Sequence, residues 1–155
     1  SEAGEGLSPY SVAKHRHAPE IEQEVAKAAG LEAANTRVNF VPHLVPMSRG
    51  ELVTCHVKLQ PGKTIDDLRA EWIKSFKDDP FVRILSDGSV PQTQMVRGSN
   101  NCVMNVFADR IPGRATVIAT IDNLVKGSSG QAIQNMNLMF GFDEALGLEQ
   151  VALFP

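Results

Sequence analysis

The segment from residue 122 to residue 141 constrains the fold of this chain more than any other. It contains no charged residue after Lys126, and its pattern is typical of a helix that ends at Gly141. Four carboxamides lie among the apolar residues that follow Gly130: Gln131, Gln134, Asn135 and Asn137. Buried carboxamides destabilise a fold unless each finds a hydrogen-bond partner. The segment therefore predicts a helix that packs against a structured polar neighbour rather than facing water.

The composition indicates one globular domain and argues against two classes of partner. Of the 155 residues, 43% are hydrophobic and 21% are charged, as in ordinary globular proteins. A net charge of -3 and a pI near 5.8 argue against nucleic acid, because phosphate binding requires a basic surface. No segment is both long and apolar enough to span a membrane, and the N-terminal residues lack the basic and apolar regions of a secretory signal. We therefore expect a cytoplasmic protein.

The pattern along the chain predicts three helices and six or seven strands without strict alternation. The helices are expected at residues 19–30, 64–76 and 122–141. The clearest strands are expected at residues 38–41, 52–59, 81–85, 92–96, 103–108 and 115–121. This pattern predicts an α+β fold with a mixed, mainly antiparallel sheet and helices on one face. We divide the chain into a flexible lead-in (1–12), an α+β domain (13–126) and a C-terminal helix and tail (127–155).

Neither the cysteines nor the glycines form a motif that assigns a function. Cys55 and Cys102 both lie in predicted strands, and a reducing cytosol together with the usual burial of free cysteine predicts two small core residues. Gly4-Glu-Gly6 begins like a phosphate-binding G-x-G motif, but Pro9 follows where a third glycine is needed. We therefore expect no self-contained dinucleotide site.

Two histidines immediately precede the first predicted helix. In an extended segment His15 and His17 point to the same side, and the positive end of the helix disfavours an imidazolium at His17, which keeps it able to exchange protons. Glu20 and Glu22, in the first turn of the helix, could orient or recharge it. The alternatives are that both histidines are polar surface residues, or that they bind zinc together with His43 or His56.

Two loops contain further candidate residues. Ser48 and Arg49 lie in a loop punctuated by proline and glycine, where an arginine is well placed to bind a carboxylate or phosphate with two hydrogen bonds. The alternative is a solvated loop arginine. The turn Gly98-Ser-Asn-Asn101 could present amides to a ligand, or it could only connect two strands.

The start of the third helix is the last candidate site. Gly127-Ser-Ser-Gly130 would offer free N–H groups and the helix dipole to an anion. Gln131 and Asn135 are four residues apart and share one face of the helix, whereas apolar residues line another. The alternative is an interior helix whose amides bond to neighbouring backbone.

Together these four segments resemble the C-terminal part of the N-acetyl-gamma-glutamyl-phosphate reductase family. The resemblance covers nearly the whole chain and rests on four strings in the same order. They are His15-Arg-His-Ala-Pro-Glu-Ile-Glu22, Phe40-Val-Pro-His-Leu-Val-Pro-Met-Ser-Arg-Gly50, Gly98-Ser-Asn100 and Asp122-Asn-Leu-Val-Lys-Gly-Ser-Ser-Gly-Gln-Ala-Ile-Gln-Asn-Met-Asn137.

The resemblance implies an activity, a mechanism and a fold. Enzymes of this family use NADPH to convert N-acetyl-glutamyl 5-phosphate into N-acetyl-glutamate 5-semialdehyde and phosphate in arginine biosynthesis. A cysteine thiolate attacks the acyl phosphate, phosphate leaves, and the thioester accepts a hydride. The histidine of the family's motif maps to His17 as an acid or base, and Glu22 belongs to the same segment. The implied fold is that of the C-terminal domain of glyceraldehyde-3-phosphate and aspartate-semialdehyde dehydrogenases.

The resemblance also implies binding residues. Contacts to the anionic substrate are assigned to Arg49, Ser48 and His15. Contacts to NADP, made where the last helix packs on a nucleotide-binding domain, are assigned to Gly127, Gln131 and Asn135. No metal ion is expected.

The chain departs from the family pattern in two respects. The family's nucleophile lies in a Gly-Cys-Tyr setting upstream of this segment, and neither Cys55 nor Cys102 has that setting. The NADP-binding domain is absent as well. We therefore interpret the chain as the catalytic and dimerisation portion of a homo-oligomeric (dimeric or tetrameric) reductase of small acyl phosphates, inactive by itself. The alternatives are a non-catalytic dimerisation module and, less favoured, a histidine-ligated metal-binding domain.

Overall fold

The computed structural model describes residues 4–153, apart from the side chain of residue 33. The chain forms two compact units, Ser1–Ser48 and Arg49–Pro155. Among the described residues, no helix has the length and apolarity needed to cross a membrane. The first three residues of the predicted lead-in lie outside the described range, and its flexibility stays a prediction.

The first unit contains one helix and a two-stranded sheet. Strand β1 (Ser8–Pro9), which lies within the predicted lead-in, pairs antiparallel with strand β2 (His43–Leu44). Helix α1 spans His17–Ala29, two residues earlier than the predicted start. A helix can begin before Pro19 because the N–H groups of its first turn have no intrahelical partners.

The other predictions for the first unit have mixed outcomes. Gly30 ends α1 as predicted, with a left-handed φ of 65° that only glycine adopts without strain. The predicted strand at residues 38–41 is wrong, because this segment has no regular structure. The N–H of Val38 donates to Oε1 of Glu22 at 3.0 Å instead of to a neighbouring strand.

The second unit is built on a four-stranded mixed sheet in the order β3–β6–β5–β4. Its strands are β3 (Glu51–Lys58), β4 (Val82–Ile84), β5 (Cys102–Ala108) and β6 (Arg114–Ile121). β6 pairs antiparallel with both β3 and β5, whereas β4 and β5 are parallel. The predicted α+β class and the mainly antiparallel sheet are confirmed.

The core of this unit lies on the inner strands and leaves β3 open. Val103, Val106 and Ala115 are almost fully buried, because β5 and β6 each have a neighbour on both sides. Every residue of β3 except Val57 is exposed, and β3 is an edge strand that pairs only with β6. The prediction that both cysteines are core residues is therefore wrong for Cys55, which is exposed on β3.

Two helices complete the second unit. Helix α2 spans Ile65–Ser75, within the predicted range, and begins at a capping box in which Thr64 and Asp67 each accept a hydrogen bond from the other's backbone N–H. Helix α3 spans Gly130–Phe140 and follows a π-helical turn, Val125–Ser129, that was predicted as ordinary helix.

One predicted strand of the second unit is also wrong. Residues 92–96 form a short 3-10 helix, Thr93–Met95, instead of a strand. The local bond from the N–H of Met95 to the carbonyl of Gln92, at 3.0 Å, replaces a strand partner. A β-type composition cannot distinguish these outcomes, because the tertiary environment decides them.

Candidate functional site

In the first unit, His15 and His17 contact each other at the start of α1. Their ring centroids lie 4.7 Å apart, and the ring of His15 also packs edge-on against Tyr10 and Phe40 at 5.4 Å and 5.2 Å. The N–H of His17 donates to Nδ1 of His15 at 3.2 Å. Nδ1 of His15 is thus the ring nitrogen that contacts the backbone of His17.

The backbone around the two histidines is not extended, which contradicts the extended segment that the prediction assumes. Arg16 between them has helical angles, φ -59° and ψ -24°. The preceding turn contains two non-glycine residues with left-handed φ angles, Ser11 at 48° and Ala13 at 57°. Such angles cost roughly 1 kcal/mol per residue and concentrate at functional sites. The strained turn therefore supports a functional role for the histidine pair without assigning one.

Glu22 is held by the segment that follows α1. Its carboxylate is mostly buried and lies 3.7 Å from the guanidinium of Arg37, in addition to accepting the N–H of Val38. No hydrogen bond joins Glu22 to His17 in the part of the chain that the structure describes. The contacts of Glu22 show it bridging α1 to residues 37 and 38.

In the second unit, Arg49 forms an ion pair with Asp122. Nε of Arg49 lies 3.0 Å from Oδ2 of Asp122, and Nη2 donates to Oδ1 at 3.3 Å. The side chain of Asp122 is completely buried, whereas 31% of the arginine side chain is exposed. Ser48, which precedes Arg49, is exposed. Arg49 is thus held firmly on one side and open to solvent on the other.

Asp122 accepts three backbone hydrogen bonds besides its ion pair. The N–H of Gly98 donates to Oδ2 at 2.7 Å, and the N–H groups of Leu124 and Val125 donate to Oδ1 at 2.8 Å and 3.1 Å. Burial by itself would raise the pKa of this carboxyl, but the backbone donors and Arg49 outweigh it, so the pKa of Asp122 is lowered. Asp122 is a carboxylate in the folded protein at neutral pH.

The helix that follows Asp122 has no free N–H groups at Gly127. The N–H of Gly127 donates to the carbonyl of Asp122 at 3.0 Å, inside the π-helical turn. Leu124 and Val125 provide the first donors of the turn, and the carboxylate of Asp122 already occupies them. The assumption that Gly127 offers a free N–H group is therefore wrong, whereas the cofactor-binding role of this residue stays a prediction.

Two of the four carboxamides of α3 point inward and are satisfied by the chain itself. Gln134 accepts from Nδ2 of Asn100 at 2.9 Å and donates to Oε1 of Glu144 at 2.6 Å. Asn137 donates to the carbonyls of Glu144 and Leu146 at 3.2 Å and 3.0 Å. The expected polar neighbour is thus partly the chain's own C-terminal segment.

The opposite side of α3 is apolar and exposed. Met139 and Phe140 are 81% and 69% exposed, and Phe140 stacks on the exposed Phe142 at 6.3 Å. Gln131 and Asn135 also lie outside the core, and Nε2 of Gln131 donates to Oδ1 of Asn135 at 3.2 Å. Helix α3 therefore buries amides and exposes apolar side chains, the reverse of an ordinary surface helix. Exposed apolar patches of this kind mark interaction surfaces.

Neither cysteine has the surroundings of an activated nucleophile. Burial raises the pKa of the Cys102 thiol, although the positive charge of Lys126 partly offsets it, and a raised pKa lowers the thiolate fraction. Cys55 is exposed on an edge strand. Within residues 4–153, no group of three or more His, Cys, Asp or Glu side chains could hold a metal ion, so the zinc hypothesis gains no support.

Comparison with known proteins assigns the chain to a family. The family description "Semialdehyde dehydrogenase, dimerisation domain" matches residues 1–123. The chain is 51% identical over 155 residues to "Probable N-acetyl-gamma-glutamyl-phosphate reductase, chloroplastic" of Arabidopsis thaliana, covering 100% of the chain and 38% of that protein. It is 50% identical over 153 residues to "N-acetyl-gamma-glutamyl-phosphate reductase" of Afipia carboxidovorans, covering 99% of the chain and 43% of that protein. The chain spans less than half the length of these relatives.

Solved structures resemble the chain in fold. Aspartate semialdehyde dehydrogenase from Francisella tularensis matches with a TM-score of 0.68 and 14% identity, over 87% of this chain and 39% of that chain. Aspartate semialdehyde dehydrogenase II from Vibrio cholerae matches with a TM-score of 0.62 and 16% identity, over 81% of this chain and 37% of that chain. These similarities confirm the predicted fold class.

Proposed function

Because the chain belongs to the semialdehyde dehydrogenase dimerisation-domain family, we propose that it forms the C-terminal part of an NADPH-dependent reductase of arginine biosynthesis. The reaction is the conversion of N-acetyl-glutamyl 5-phosphate into N-acetyl-glutamate 5-semialdehyde and phosphate. The observation that carries this proposal is the identity of about half of all residues, across the whole chain, to relatives that bear the reductase name. The chain by itself is inactive, because both of its cysteines lack the setting of the nucleophile.

The proposed role of His17 is proton transfer beside a cysteine that lies upstream in the complete enzyme. The thiolate attacks the carbonyl carbon, the bond from that carbon to the phosphate oxygen breaks, and phosphate leaves. His17 takes the thiol proton and later exchanges a proton with the substrate oxygen. The contacts of His17 support this role, because its ring is exposed while its backbone N–H is fixed on His15. The proposed role of Glu22 is to hold α1, and with it His17, through its contacts to residues 37 and 38.

Arg49 is the proposed binding residue for the anionic groups of the substrate. Its contacts leave Nη1 and one N–H of Nη2 directed away from Asp122, and these two groups match the geometry of a carboxylate or phosphate. Ser48 is exposed beside Arg49 in sequence, and the hydrogen bond of the His15 ring involves Nδ1 rather than Nε2. We propose both as secondary substrate contacts.

NADPH would supply the hydride, and part of α3 fits a role in holding it. Gln131 and Asn135 expose carboxamides that can exchange their mutual hydrogen bond for bonds to the cofactor. The N–H of Gly127 does not fit a role as a phosphate donor, because it is bonded within its own turn. The apolar side chains around the exposed amides would pack on the NADP-binding domain, which is the proposed partner of residues 127–155.

A second proposed function is subunit association, which the family name supports. Leu52 and Val53 expose apolar side chains on the open edge strand β3, and unpaired edges of this kind invite pairing or coverage. Sedimentation at micromolar concentration would show a dimer or tetramer of the complete enzyme. A strictly monomeric enzyme would exclude association as a function.

The substitution His17→Ala tests the catalytic proposal in the complete enzyme. We expect kcat to fall by roughly 10²-fold to 10⁴-fold, the usual contribution of an acid–base group, while the melting temperature stays close to that of the wild type because the ring is exposed. The exposed His43→Ala is the matched control and should retain kcat. Turnover near the wild-type value in His17→Ala would exclude the role, and a wild-type enzyme unable to reduce the acyl phosphate would exclude the proposed function.

A further inference from the structure

Asp122 is a fully buried carboxylate for which the proposed mechanism has no use. Removing a carboxylate from water costs several kcal/mol, so a completely buried one requires an explanation. Its partners come from three separate segments: Arg49, Gly98 and the turn at Leu124 and Val125. The backbone N–H groups alone would explain a helix cap, but they do not explain why an arginine reaches the same carboxylate.

The ion pair uses one particular edge of the guanidinium. Nη2 of Arg49 donates to Oδ1 of Asp122 at 3.3 Å, and Nε is buried 3.0 Å from Oδ2 without forming a hydrogen bond to it. The distal edge, formed by Nη1 and the second N–H of Nη2, has no partner among the residues that the structure describes. Rotation about the bond between Nε and Cζ would break the hydrogen bond from Nη2 to Oδ1, whereas Nε lies on the rotation axis and would stay in place.

The backbone of the arginine loop is fixed by the residue next to Asp122. Oδ1 of Asn123 accepts the N–H of Gly50 at 2.8 Å. Gly50 has a φ of 115°, and a Cβ at this position would lie 2.8 Å from Cβ of Thr93, so the loop packs too closely for any other residue. The dipeptide Asp122-Asn123 thus anchors both the side chain and the following backbone of Arg49.

We propose that Asp122 is a positioning residue that locks the guanidinium of Arg49, so that its distal edge forms a preorganised clamp for a carboxylate or phosphate group of the substrate. This inference rests on the proposed function. Preorganisation lowers the entropy lost when the substrate is bound and oriented. Asp122 touches no substrate and acts only through Arg49.

The test compares Asp122→Asn with wild type in the complete enzyme. Asparagine retains one oxygen for the N–H groups of Leu124 and Val125, but it loses the acceptor for the N–H of Gly98. It also loses the charge that holds Arg49. We expect KM for the acyl phosphate to rise by about 10-fold to 100-fold, the equivalent of one charged hydrogen bond, with kcat and KM for NADPH within about threefold. A KM for the acyl phosphate equal to that of the wild type would overturn the proposal.

A matched control separates positioning from folding. Asn105 is also completely buried, and it also accepts from an arginine, Arg69, while donating to the carbonyls of Ser86 and Ser89. Asn105→Ala should lower stability at least as much as Asp122→Asn without raising KM. A parallel rise of KM in both variants would show that Asp122 is merely structural.

Lysine at position 49 provides the second comparison. Arg49→Lys keeps the charge but lacks the guanidinium fork, so adding Asp122→Asn to it should raise KM little further. If the effects of the two substitutions on KM were fully additive, Asp122 would not act through Arg49 and the proposal would be contradicted.

A measurement without turnover distinguishes failure of this inference from failure of the proposed function. In the folded wild-type enzyme, labelled Arg49 should give separate NMR signals for its two Nη groups because rotation of the guanidinium is slow. Averaged signals would overturn the inference without needing any variant. If the signals were separate in an enzyme that does not reduce acyl phosphates, Asp122 would still position the guanidinium of Arg49. Only the identity of the substrate would then be wrong.

Discussion

At the scale of single residues, Asp122 makes stability depend on pH in acid. Its pKa is lowered in the folded state because three backbone donors and Arg49 outweigh the effect of burial. In the unfolded chain an aspartate titrates at about 3.9. Its stabilisation is therefore fully present above that value and is lost as the pH falls below it toward the folded pKa.

Urea unfolding of wild type and Asp122→Asn between pH 6 and pH 2.5 would measure this effect. We expect the difference in unfolding free energy to be constant above about pH 5 and to shrink below about pH 4. Asp87→Asn, which changes an exposed carboxyl in a turn, controls for the change in net charge. A difference that stays constant down to pH 2.5 would contradict the role assigned to the Asp122 carboxylate.

Residue types and local spacing single out His15, His17 and Arg49 from the sequence, but not Asp122. Its two main side-chain and backbone partners, Arg49 and Gly98, lie 73 and 24 residues away in sequence. No local pattern encodes such distances. The only available signal is an aspartate at the junction of a strand and a helix, a position where an acidic residue commonly caps the helix. That signal would have indicated that the first N–H groups of the turn bond to the chain's own carboxylate.

At the scale of elements, the junction between the π-helical turn and α3 depends on one glycine. A Cβ on Gly130 would lie 2.3 Å from Oδ1 of Asn100 and 2.8 Å from the carbonyl oxygen of Val125. Gly130→Ala should therefore destabilise the fold by about 1–3 kcal/mol, as overpacking does. Chemical denaturation measures the change.

Gly127→Ala is the matched control for this prediction. Its Cβ would meet no atom closer than Cδ1 of Ile121 at 3.4 Å, and its φ is not left-handed. We expect no loss, or a gain of up to about 1 kcal/mol from the reduced entropy of the unfolded chain. Equal destabilisation by both substitutions would show that the loss of stability in Gly130→Ala does not come from the close atoms around Gly130.

The sequence predicts elements best where the signal is local. The Thr64 capping box, the end of α1 at Gly30 and the strands β3, β5 and β6 follow from capping residues, terminators and alternation. Residues 38–41 and 92–96 have strand-like composition without strand partners, and pairing is a tertiary property. The π-helical turn differs from the predicted ordinary helix because its hydrogen bonds, from Gly127 to Asp122 and from Ser129 to Leu124, span five residues instead of four.

At the scale of the whole molecule, the two sides of the uncharged helix α3 have different contacts, which explains its unusual composition. Gln134 and Asn137 bond to the chain's own residues, whereas the apolar side chains of α3 face outward. A chain that folded for solvent alone would be arranged the other way round. Composition predicts that this segment packs against a neighbour. It does not predict which of its side chains contact the chain itself and which are left for a partner.

Oxidation of Met139 tests whether the proposed NADP-binding domain covers this surface. Its side chain is 81% exposed in the chain alone, so dilute peroxide should convert it rapidly to the sulfoxide. In the complete enzyme we expect the rate, followed by mass spectrometry of the peptide, to fall several-fold, because the adjoining domain would exclude the oxidant. Free N-acetylmethionine in the same solution would report the strength of the oxidant. Equal oxidation rates would show that the apolar face of α3 is still exposed to solvent in the complete enzyme. A different partner, such as a second subunit, would then have to cover it. Oxidation rates measured above and below the concentration at which the subunits dissociate would reveal such a partner.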